Sequence, residues 1–236
     1  MKKRRSILSK GFCGVLVIAG LFVSAGVAGE KADVKKAVKF KFEENVQKVK
    51  LVGSFGKDGK IVAVSMVKLF GGFYVNLNLA PDFYLYRYLV GKDKYVADSY
   101  GEFYREDDVK YSLLRVWPEA PGSFLRLASG FIAKNREEWV IDTYLEGIRR
   151  YPGEANLYFA LGGFYEEKKW FGFAADCYHS FLEKNPDNVE MRYSIARCYE
   201  KFYQDTGKNK HRKSALFHWK RLLGTKYDEE AIKRIW

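Results

Sequence analysis

The sequence predicts an α+β chain in two folded parts, a β-sandwich followed by an all-α solenoid of about three helical hairpins. Two observations carry this: apolar residues alternate with period two between Val34 and Trp117, and beyond that point prolines recur at a fixed interval. A third observation concerns the N-terminus, where a basic stretch, an apolar stretch and small residues follow one another through residues 1–29. The length of 236 residues leaves room for two modest cores. With 47% hydrophobic and 30% charged residues, neither half has the composition of a disordered chain.

Residues 1–29 have the three-part form of a secretory signal, ending near Ala28 or Gly29. The 19 uncharged residues between Lys10 and Glu30 also approach the ~20 needed to span a bilayer. A periplasmic or secreted protein is therefore expected, the alternative being an inner-membrane protein anchored by an uncleaved segment. Cleavage would remove Lys2, Lys3, Arg4, Arg5 and Lys10, five of the formal +12 charges, leaving a mildly basic +7. No long block of like charge remains, so nucleic acid is not an expected partner. Cys177 and Cys198 would remain, either as a disulfide or as two small buried side chains.

In the first folded part, residues 34–117, Val38, Phe40 and Phe42, then Val49, Leu51 and Gly53, then Phe73, Val75, Leu77 and Leu79 fall on alternate positions. Such alternation marks strands with one buried face. Breaks at Lys57-Asp58-Gly59, Gly71-Gly72, Pro81-Asp82 and Gly91-Lys92-Asp93 divide the region into roughly seven strands, the last being residues 110–116. Seven short antiparallel strands predict an immunoglobulin-like sandwich.

In the second part, Pro118, Pro152 and Pro186 are separated by 34 residues each. Units starting three residues after each proline cover 121–154, 155–188 and 189–229, within a region running to residue 236. Tyr158, Leu161, Gly162, Tyr165, Ala174, Tyr178 and Pro186 occupy equivalent places to Phe124, Leu127, Ala128, Phe131, Val140, Tyr144 and Pro152. In the third unit Arg192, Ile195, Ala196 and Tyr199 align, but Ala215, Trp219 and Leu222 do so only after a seven-residue insertion near 204–212, read as a loop or an extended helix end. Residues 229–236 are expected to cap the last unit.

The spacing and the W-x2-L-G-x2-Y, A-x3-F and P places resemble the tetratricopeptide repeat (TPR) family. The resemblance implies a stacked array with a concave face formed by the first helix of each unit. Positions 2, 5, 9 and 12 of those helices lie off the core stripe. They map to Asn156, Phe159, Gly163 and Glu166, and to Glu190, Tyr193, Arg197 and Glu200, as a peptide-binding groove.

In the first part, Lys48 to Phe55, Gly72 to Leu79 and Phe83 to Val90 resemble the early-set, glycogen-recognition (CBM48-like) domain found on AMP-activated kinase regulatory subunits and on starch-branching enzymes. The resemblance implies a glycan site in which Arg87 contacts hydroxyls and Tyr95 stacks on a sugar. Its other stacking place holds Asp58, and Val109 and Tyr111 replace the polar pair before the last strand.

No catalytic residue, metal site or cofactor is predicted: His179, His211 and His218 lack metal-ligand spacing, and there is no nucleophile motif or phosphate-cradling glycine loop. The expected function is an exported non-enzymatic adaptor or scaffold that binds a protein or peptide through the array. The alternative is an accessory protein that binds an α-glucan through the first part. A membrane contact is expected only from an uncleaved leader.

Overall fold

The computed structural model describes residues 13–17 and 35–235, apart from positions 45, 70 and 100. The chain divides into two compact units, residues 1–119 and 120–236, and each is described by itself.

The first unit is built from antiparallel strands: β1 (Cys13–Val17), β2 (Lys36–Phe42), β3 (Val49–Gly53), β4 (Val62–Ser65), β5 (Val67–Leu69), β6 (Gly72–Leu79), β7 (Asp82–Val90), β8 (Lys94–Val96), β9 (Glu102–Glu106) and β10 (Val109–Val116). One sheet has the order β1-β2-β6-β5; the other runs β4-β3-β7-β10-β9, with β8 also paired to β7. The alternating residues meet between the sheets. Val38, Phe40, Phe42, Phe73 and Leu79 of one sheet pack against Val49, Leu51, Tyr84, Tyr86, Tyr88, Leu114 and Val116 of the other. Phe40 and Tyr86 meet edge to face at 5.2 Å, and Tyr88 Oη donates to the carbonyl of Lys41 in the opposite sheet at 3.1 Å. These aromatics thus bury large apolar area while their hydroxyls stay hydrogen-bonded.

Among the described residues between 34 and 117 there are nine strands where roughly seven were expected. The extra ones are short and lie at edges. Met66 is buried where the chain passes from β4 in one sheet to β5 in the other, but Val67, Lys68 and Leu69 are exposed and so give no alternation to read. β1 pairs with β2, Cys13 opposite Phe42 and Val17 opposite Val38. The rest of the segment read as a leader lies outside the described residues.

The second unit contains α1 (Pro121–Ala133), α2 (Glu137–Arg150), α3 (Ala155–Glu167), α4 (Phe171–Leu182), α5 (Val189–Thr206), α6 (Asn209–Lys220) and α7 (Asp228–Ile235). The first six form three hairpins whose first helices begin at residues 121, 155 and 189, a 34-residue step. Local signals fix the starts. Pro121 occupies the first turn of α1, where a missing N–H costs nothing, and the Asn188 side chain accepts from Met191 N at 2.8 Å to cap α5. Close helix approach needs a bare position at Gly162, because a Cβ there would enter the ring of Tyr178.

The insertion in the third unit extends α5 to 18 residues, and Gly207, with φ 66°, ends it in the left-handed conformation. The core is continuous across hairpins: Tyr158, Phe171, Ala174, Tyr178 and Phe181 pack with Met191, Ile195 and Cys198 of the next unit. Ala196, Ala215, Trp219, Leu222 and Ala231 continue it to α7. No helix among the described residues is long and apolar enough to cross a membrane.

Candidate binding surfaces

The predicted groove residues divide into an open part and a covered part. On α3, Asn156 is exposed, Phe159 is half-buried, and a Cβ at Gly163 would meet nothing within 4 Å. Glu166 accepts from Tyr178 Oη at 2.9 Å and is ion-paired with Lys201.

On α5 the stripe is engaged by the C-terminal segment. The Tyr193 ring stacks on Tyr227 at 4.2 Å, stands edge-on to Trp219 at 5.6 Å, and its hydroxyl donates to Glu230 at 3.0 Å. Glu190 pairs with Lys226, whose ammonium hydrogen bond holds the carboxyl below its ordinary range. Glu200 accepts from Trp219 Nε1 at 2.9 Å and lies 3.4 Å from Arg234. Arg197 is exposed and donates to Tyr193 Oη at 3.1 Å. All three stripe carboxylates therefore have cationic partners, and the arginine is the charge offered outward.

Three helical hairpins at a 34-residue step, with a glycine under the ring of Tyr178, are what the repeat reading requires. The helical unit is TPR-like. Among solved structures, the first TPR of Spaghetti (RPAP3), bound to the HSP90 peptide SRMEEVD, is similar at 14% identity and TM-score 0.39, over 49% of this chain and 86% of that one. YrrB, a TPR protein with an unusual peptide-binding site, is similar at 19% identity and TM-score 0.37, over 48% of this chain and 55% of that one. The TPR domain of Arabidopsis OM64 is similar at 15% identity and TM-score 0.37, over 49% and 93%. No protein-family model matches the chain, and no curated protein matches it in sequence.

The sequence reading did not bring the three histidines together, but the TPR-like stacking does. The rings of His179 (α4) and His218 (α6) lie 5.1 Å apart, Tyr199 of α5 lies flat to His218 at 6.0 Å, and His211 stacks on Phe202 at 3.6 Å. His218 Nδ1 is buried without a hydrogen-bond partner. Burial, then His179, Arg192 and Arg221, pushes His218 down to about 3. Burial also lowers His179 and His211. These are neutral packing groups, and among the described residues no three His, Cys, Asp or Glu side chains gather as metal ligands.

Cys177 and Cys198 are free thiols, each pushed up to about 12 by burial and each directed at a backbone carbonyl, of Tyr158 and Phe171 respectively.

In the β unit, Arg87 and Tyr95 do come together, at a fork in the sheet. β10 pairs with β7 from Asp82 to Tyr86, and β8 takes over that side from Tyr88 to Val90. Arg87 stands at the changeover, on the face opposite the core residues Tyr86 and Tyr88. Its guanidinium lies 4.4 Å from the Tyr95 ring and 4.6 Å from that of Tyr111. A pocket of about 730 Å³ opens there, lined by Tyr95, Ser99, Phe103, Asp108 and Lys110 among others; Asp58 does not line it. Buried Asp98 ties the fork below: Tyr86 Oη donates to its carboxylate at 2.9 Å, and its own N–H donates to Ser112 Oγ at 2.6 Å. Neither contact was readable from spacing: that of Arg87 with Tyr111 follows from the pairing of β10 with β7, Ser112 opposite Tyr86, and that of Lys110 with Phe103 from the two-residue turn at Asp107 and Asp108, with φ of 48° and 63°, that folds β10 back on β9.

Proposed function

We propose that the chain is an exported, non-enzymatic adaptor or scaffold whose helical array holds an extended peptide of a protein partner. The observation that supports this most is the open stripe on α3, where Gly163 faces empty space beside the half-buried Phe159 ring. A peptide laid there would pack on Phe159 and meet Arg197, a donor suited to a carboxylate. Glu166, Glu190, Tyr193 and Glu200 serve as the walls of this groove, held in place by Lys201, Lys226, Glu230 and Arg234. On the same reading the β unit is an immunoglobulin-like, early-set module acting as a spacer or second contact. Selection from a random-peptide display library on the full chain tests the proposal. Enrichment of peptides with an acidic residue beside an apolar one is expected, and no enrichment over a blank surface would reject it.

The export reading rests on residues 1–29. Cleavage near Ala28 to Glu30 would place the protein in the periplasm or outside the cell and remove β1, leaving β2 with an open edge. N-terminal sequencing of the exported protein reads this directly. A new terminus near Glu30 is expected, and an intact Met1 in the membrane fraction would point to an anchor.

A further inference from the structure

The register of the sheet that contains β2, β6 and β5 fixes what its outer face carries. Val38, Phe40, Phe42 and Phe73 lie in the core between the sheets, so Lys39 and Lys41 of β2 and Tyr74 of β6 lie on the other side. Val67 of β5 stands opposite Tyr74 and shares that face, as does Leu69 two residues on. Both are open to solvent, Val67 at 62% and Leu69 at 57%, where an edge strand ordinarily carries charge. The ammonium groups of Lys39 and Lys41 lie 4.8 and 5.8 Å from the centre of the Tyr74 ring, and that of Lys68 lies 5.7 Å from the Phe73 ring. Lys41 pairs with Glu43, just after β2, whereas Lys39 and Lys68 have no ion pair among the described residues. Among the described residues no outward position of β2, β5 or β6 is acidic. Only Glu43, Glu44 and Asp58 are acidic between residues 35 and 80, where the lysines number nine, so the field over this stretch is positive.

We propose that this face docks on an anionic phospholipid surface, with Val67 and Leu69 entering the acyl boundary, Tyr74 at headgroup depth, and Lys39, Lys41 and Lys68 over the phosphates. A bilayer fits both halves of the pattern at once. It accepts apolar side chains that have no pocket to fill, and its diffuse charge suits ammonium groups on flexible apolar stems. A tyrosine is at home at that depth, with its ring in an apolar layer and its hydroxyl in water. An acidic peptide added as a strand is the weaker fit, because β5 offers a ladder of only three residues. The contact uses no residue of the leader and none of the helical unit, so it stands or falls separately from export and from the groove.

The test is vesicle flotation of the full chain with phosphatidylcholine alone and with phosphatidylcholine mixed with phosphatidylglycerol, beside a binding titration with soluble polyglutamate. Binding to the mixed vesicles is expected, weakening as salt rises. Lys39→Gln with Lys68→Gln should lower the partition coefficient about tenfold or more, since each lysine near an anionic surface contributes about fivefold. Lys92→Gln with Lys94→Gln, after β7 and in β8 of the other sheet, removes the same charge and should lower it by less than about twofold. Val67→Ser with Leu69→Ser, at exposed positions that the fold tolerates, should lower it by about fivefold. The leader is common to every variant, so these ratios read the face. Equal binding to both kinds of vesicle, equal loss from the two lysine pairs, native partition of the serine variant, or tighter binding of polyglutamate than of the mixed vesicles would each overturn the proposal.

Discussion

Each unit carries an arginine on a tyrosine, and the two sites differ in what surrounds them. Arg197 is exposed and donates to Tyr193 Oη beside acids that already have partners in Lys201, Lys226 and Arg234, so its charge faces outward. Arg87 rests between Tyr95 and Tyr111 with no acidic partner among the described residues. The same two residue types therefore stand in different settings, beside a stripe of paired acids on α3 and α5 and between two aromatic rings at the fork.

The largest expected effect separates the stripe from the core beneath it. Trp219 is fully buried, stands edge-on to Tyr193 and donates to Glu200, so it holds both the third hairpin and the covered end of the groove. Trp219→Ala should destabilise the helical unit by about 3–5 kcal/mol, read as a shift in the urea midpoint of the helical circular-dichroism signal. A loss under about 1 kcal/mol would mean that the wall of the stripe is not anchored through this ring.

Acid should act on the helical unit through the histidine cluster. Asp176 on α4 and Glu183 just after it favour protonation of His179, whereas Arg192 on α5, Arg221 after α6, and Lys208 and Lys210 beside His211 oppose protonation of the cluster, in which His218 is held neutral by burial. The folded value of His218 lies below its unfolded one, so the unfolded chain binds more protons across the interval between them. Stability is then fully present above pH ~6.5 and falls as pH drops towards about 3, by about 1.4 kcal/mol per pH unit for this one histidine. His218→Gln, which keeps polarity without a titrating ring, should flatten the urea midpoint between pH 6 and 4; an unchanged slope would remove the cluster from the account.

Much of this helical geometry was legible because one period encodes it. Pro118, Pro152 and Pro186 place α1, α3 and α5, and small residues such as Gly162 and Ala196 mark the close approaches. The histidine cluster was not legible, since residues 179, 211 and 218 become neighbours only when α4, α5 and α6 stack. In the β unit, alternation identified Val38, Phe40, Phe42, Val49 and Leu51 as core, yet β4, β5, β8 and β9 are too short or too exposed to carry a pattern. Arg87 and Tyr95 could be singled out by resemblance. Tyr111 as the second ring on Arg87 required the observed register of β10 against β7, with Ser112 opposite Tyr86.

The smallest expected effect is on the thiols: Cys177 and Cys198, both raised by burial, should resist an aromatic disulfide reagent at pH 8 in the native protein and react only on unfolding. Rapid native reaction would show that the core between the second and third hairpins opens.

The central claim, that the array binds on the α3 stripe, is tested most directly by two glycines that both face open space. A Cβ at Gly163, on the stripe, and one at Gly172, near the start of α4 and off it, would each meet nothing within 4 Å. Gly163→Trp and Gly172→Trp should therefore both fold with thermal midpoints close to the native one. Affinity for a display-selected peptide, measured on each variant and on the native chain, is expected to be lost in Gly163→Trp and retained in Gly172→Trp. Native affinity in a folded Gly163→Trp would contradict the claim and place the binding surface elsewhere.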